Sequence, residues 1–84
     1  MSATERIISR KDVDLERNQL MRRKFNVVLE ETGTQTAFIA EKAGMNRFSM
    51  YSWKNDKRNF ITPNLDKIEN VLITLFPKVY KKAK

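Results

Sequence analysis

The chain has 84 residues, a net charge of +7 and 32% charged side chains. It contains no cysteine and no histidine, which excludes a disulfide framework, a zinc site of the usual ligands and a histidine-based catalytic centre. One small domain with a modest core is the expectation, and so basic a surface points to a polyanion, nucleic acid before an anionic membrane.

Residues 1–11 lack periodicity. Arg6, Arg10 and Lys11 flank the apolar pair Ile7 and Ile8, so the stretch reads as a basic arm. It holds no continuous apolar segment of the signal-peptide kind. No run anywhere nears the roughly 20 apolar residues that span a bilayer. The predicted location is the cytoplasm, in association with the nucleoid of a bacterial or phage-infected cell, with no membrane partner.

The all-α domain is predicted over residues 12–76, as a small bundle of four main helices. The first spans 12–32. Met21, Phe25, Val28, Leu29 and Thr32 fall on one stripe at helical spacing, which Leu15 extends. Asp12, Asp14 and Glu16 crowd its first turns, where acids suit the helix dipole better than they suit a metal. Gly33 fits its C-terminal cap. Arg22, Arg23 and Lys24 form a run that reads equally as a solvated face or as phosphate contacts.

The second helix is predicted over 35–42 with Thr34 as N-cap and Ile39 and Ala43 inward. Phe38 is ambiguous between core and surface. The third is predicted over 47–55 with Asn46 as N-cap. Ala40 allows two helices to cross closely, Gly44 allows a sharp turn at positive φ, and Met45 plugs the gap. Met50 and Trp53, three apart, share a buried face, so Trp53 reads as core rather than as a stacking platform. Arg47, Phe48, Tyr51, Ser52 and Lys54 then face outward. Residues 55–60 read as a turn carrying Lys57, Arg58 and Asn59. Thr62 caps the fourth helix, Pro63 occupies its first position, and Leu65, Ile68, Leu72 and Leu75 form its inward stripe beside Val71. Pro77 ends the regular part, and residues 77–84 form a basic tail in which Val79 and Tyr80 can dock.

The segments FIAEKAG (38–44), KRN (57–59) and LDKIENVL (65–72), with Met50 and Trp53 between them, resemble the Cro and Xre type of helix-turn-helix repressors common in phages and mobile elements. The resemblance covers roughly residues 25–75. It implies a lambda-repressor-like fold and a helix-turn-helix core of Ile39, Ala40, Gly44, Met45, Met50 and Trp53. It further implies that Arg47, Phe48, Tyr51 and Ser52 touch bases. Thr36, Asn46, Lys54, Asn55, Lys57, Arg58 and Asn59 would contact phosphate. Thr36 stands where the family often has a longer glutamine, and Asp56 where it often has glycine. Arginine can bond guanine bidentately and aromatic rings can pack on thymine methyls.

The function this implies is sequence-specific binding to double-stranded operator DNA, most simply as a repressor. Family members often bind palindromes as homodimers, and the N-terminal arm and residues 75–80 are the candidate places for a dimer contact. Two rivals stay open. One is an adaptor or antirepressor that uses Phe48 and Tyr51 to bind another regulator or RNA polymerase. The other is a DNA-packing protein without sequence preference. No cofactor or metal is expected, and no nucleophile–base pair points to an enzyme.

Overall fold

Asp14 starts the first helix: its carboxylate accepts a hydrogen bond from the Arg17 backbone N–H at 2.9 Å, satisfying a donor that the helix leaves free. The computed structural model describes residues 13–83. The basic arm at residues 1–11, and Asp12 with it, lies outside the described residues. Helix α1 is Leu15–Thr32. Met21, Phe25, Val28 and Leu29 are buried as their spacing predicts. Leu15 is not: it is 61% exposed, because at 3.6 residues per turn it sits roughly 100° around the helix from the centre of that stripe. Gly33 ends α1 at φ 69°, donating its N–H to Leu29 O. The left-handed conformation needed there suits glycine.

Helix α2 is Thr36–Ala43, with Gln35 as its N-cap residue and no side-chain cap. The predicted Thr34 cap does not form. Its hydroxyl lies 2.6 Å from that of Thr32 instead. Ile39 and Ala40 are fully buried, and Ala43 is half-buried. At Gly44, φ 67°, the chain leaves the helix through two bonds, Gly44 N–H to Glu41 O and Met45 N–H to Ala40 O. That paired pattern satisfies the last free carbonyls. Asn46 then caps helix α3, Arg47–Lys54, by accepting from the backbone N–H of Phe48 at 2.8 Å and of Ser49 at 3.1 Å.

Helix α4 is Thr62–Leu75, with Ile61 at the N-cap position, so Thr62 opens the helix and Pro63 falls one place further in than predicted. Leu65, Ile68 and Leu72 are fully buried, whereas Leu75, in the last turn, is 39% exposed. The chain breaks at Phe76, which takes φ −135°. A following proline disfavours the helical region for the residue before it. The same proline starts a new helix, since a missing N–H is harmless at the first position. The predicted tail is therefore a short helix α5, Pro77–Lys82. It packs on α1 and α4, with Val79 and Tyr80 against the core and Ala83 buried. The Tyr80 hydroxyl donates to Glu69 Oε2 at 2.6 Å. Arg17 reaches the same helix, 2.6 Å from Asp66 Oδ1 and 3.3 Å from Glu69 Oε1.

The described residues are thus all-α, with five helices and no strand. Trp53 lies at the centre of the core. Phe25 meets it edge-on at 5.3 Å between centroids, and Phe60 stacks on it at 5.5 Å.

Candidate nucleic-acid interface

A short helix with two buried anchors must present its remaining side chains outward. In α3, Met50 and Trp53 are fully buried. Arg47 is exposed, Phe48 is 69% exposed, Tyr51 is 41% exposed, and Ser52 is half-buried. The guanidinium of Arg47 lies 5.6 Å from the centroid of the Phe48 ring. Asn46 is exposed, and with its Oδ1 occupied by the two capping bonds only its amide N–H groups remain to bond a ligand.

The segment after α3 carries two further cations, Lys57 and Arg58. Asn55 closes the helix, and Asp56 takes φ 62°, the left-handed value that aspartate tolerates better than most residues. Lys57, Arg58 and Asn59 are exposed. Arg58 folds back along α3, donating to Ser49 Oγ at 3.1 Å and lying 5.4 Å from the Phe60 ring centroid. Asn59 Oδ1 accepts from Arg22. Lys54 is half-buried. With Tyr51, Thr36, Gln35 and the α1 residues Asn26 and Glu30 it lines an open groove between α1, the start of α2 and the end of α3.

Two residues predicted at the surface are buried. Thr36 is only 6% exposed. It still lines the open groove with Tyr51 and Lys54, packed into the groove wall rather than standing clear of the surface. Arg22 is also buried and is neither a solvated residue nor a phosphate contact. Its guanidinium donates to the carbonyls of Trp53 and Arg58 and to Asn59 Oδ1. Its Nη1 lies 3.1 Å from Asp56 Oδ1, close enough for charge pairing without a directed hydrogen bond. Arg23 is exposed, and Lys24 is half-buried with its ammonium 4.6 Å from the Tyr80 ring centroid.

Asn18 and Phe60 are the structural residues that the sequence reading misses. Asn18 is fully buried. Its amide donates to Asp14 O and Phe60 O, and its Oδ1 accepts from the Trp53 indole and the Phe60 N–H. One side chain thereby fastens α1, the end of α3 and the segment that carries the cations. A signal existed: Asn18 and Arg22 share the helical phase of Phe25 and Leu29, and a polar residue in an apolar stripe has to find partners there.

Comparison with known proteins finds no match: no family model, no curated protein and no solved structure is similar to the chain.

Among the described residues no cluster of acidic, cysteine or histidine side chains could hold a metal ion, and no helix is long and apolar enough to cross a membrane. The outward groups of α3 and the following segment are guanidinium, ammonium and amide donors beside ring faces, with one carboxylate, Asp56, beside the buried Arg22. Those donors and rings match phosphate oxygens, base edges and methyl groups.

Proposed function

We propose that this chain binds double-stranded DNA sequence-specifically as a transcriptional regulator, most simply as a repressor that occludes a promoter. In this reading α2 and α3 are a helix-turn-helix within a lambda-repressor-like bundle, and α3 enters the major groove. Arg47, Phe48, Tyr51 and Ser52 meet base edges. Lys54, Asn55, Lys57, Arg58 and Asn59 meet phosphate, and Asn46 does so through its amide. The observation that carries the reading is the outward edge of α3, where Arg47, Phe48 and Tyr51 stand exposed opposite the buried Met50 and Trp53. A net charge of +7 supplies the attraction to phosphate that such a contact needs.

Selection of bound fragments from a random DNA pool tests this. A defined consensus supports the proposal, and a palindromic one adds a homodimer. Arg47→Ala should then weaken the selected site by about 1–3 kcal/mol. Absence of DNA binding at low salt overturns it and favours an adaptor that uses Phe48 and Tyr51 to hold a protein. Binding without any consensus favours DNA packing.

A further inference from the structure

We infer that the Arg47–Phe48 pair makes α3 a reader of guanine with thymine at the neighbouring base step. The inference rests on the DNA-binding reading above. Arg47 and Phe48 are consecutive and exposed, and they open α3 just after the Asn46 cap. That cap bonds the Phe48 and Ser49 N–H groups, so the helix start that carries both side chains is held in place. The Arg47 guanidinium rests 5.6 Å from the Phe48 ring centroid, within the distance at which a cation is attracted to a ring face.

A guanidinium held near a ring face keeps its planar fork of N–H donors. A fork of this kind finds two acceptors on one base edge in the major groove at guanine, O6 and N7. The ring offers apolar surface, and the apolar group on the major-groove edge is the methyl of thymine. Successive bases along a strand are about 3.4 Å apart, and a ring and a guanidinium 5.6 Å apart exceed that spacing by less than one further base, so they address different bases within one short step of each other. With the fork on guanine, the ring falls beside the next base and covers its methyl. On α2, Lys42 sits 5.4 Å from the Phe38 ring centroid. A lysine presents a point charge without a planar fork, so that second pair lacks this selectivity.

The test uses the purified full chain and the duplex chosen by selection from a random pool. Thymine next to the guanine is replaced by uracil, which lacks only the methyl. Separately, guanine is replaced by 7-deazaguanine, which lacks the N7 acceptor. Uracil should weaken binding roughly fourfold, the effect of one methyl left unburied. Deazaguanine should weaken it about fivefold or more. Phe48→Ala should lose the response to uracil and keep the response to deazaguanine, and Arg47→Ala should do the reverse. Both side chains are exposed, and circular dichroism will verify that the variants stay folded. A consensus with no thymine beside guanine, or a site indifferent to uracil, overturns the inference while leaving specific DNA binding intact. Absence of any DNA binding overturns both.

Discussion

Replacing Asn18 with alanine should cost far more than the loss of a small polar side chain suggests. Asn18 is fully buried and uses its carbonyl and both amide hydrogens. Alanine leaves the Trp53 indole N–H, the Phe60 N–H and the Phe60 carbonyl without partners, in residues that are themselves buried. Asp14 O is spared, because it also accepts the Asn18 backbone N–H. A buried group left unsatisfied costs about 1–3 kcal/mol, so the two orphaned donors alone imply a loss of about 2–6 kcal/mol. A domain of this size has roughly 4–13 kcal/mol in total. The melting temperature should fall by at least about 8 °C, at roughly 4 °C or more per kcal/mol. Urea unfolding followed by tryptophan fluorescence measures the loss directly, since Trp53 is the single tryptophan and sits at the network. Asn18→Leu separates the causes: it restores volume but not hydrogen bonds, and should stay destabilised by about 2 kcal/mol or more. If Asn18→Leu recovers the stability of the parent, the cost was a cavity and the hydrogen-bond argument is refuted.

Gly44→Ala meets no atom within 4 Å of the added Cβ, so its effect should come from the positive φ alone, about 1–2 kcal/mol; a neutral result in urea unfolding would mean that the turn relaxes. Burial, and then the hydrogen bond to Glu69, push the Tyr80 phenol well above its ordinary value near 10. The unfolded chain therefore loses this proton first, and the Tyr80 contribution is complete below about pH 10 and declines as pH rises beyond it. Tyr80→Phe should flatten that alkaline decline in a stability–pH series, and it should cost about 0.5–1.5 kcal/mol at neutral pH. Lys57→Ala should weaken binding to all DNA sequences alike and reduce the salt slope by about one, and a loss confined to one sequence would count against a phosphate role.

Much of the core was legible because helical phase is a local property. Phe25, Val28, Ile39, Met50, Trp53, Leu65, Ile68 and Leu72 are buried where their three- and four-residue spacing puts them. Gly33 and Gly44 take positive φ where helices were predicted to stop. The errors sit at helix ends, where competing partners decide. Thr34 pairs with Thr32 rather than capping, and Pro77 starts a helix as well as stopping one. Within the candidate interface, the exposed Arg47, Phe48 and Tyr51 were readable from the phase of Met50 and Trp53. The phase that Arg22 shares with Phe25 and Leu29 marked it as inward, but its partners and the burial of Thr36 were not readable, because a charged or hydroxyl side chain carries no periodic label for what it meets.

The order of residues alone settled which side chains of α3 turn inward, since 3.6 residues per turn dictates that without reference to any other segment. What lies opposite them came only with the folded chain. Asn18 meets Phe60 across 42 positions and Arg22 meets Arg58 across 36, contacts that exist only once α1, α3 and the cation-bearing segment have packed. Polar groups taken out of water by that packing must find partners, and which ones they find depends on distances in space that spacing along the chain does not encode.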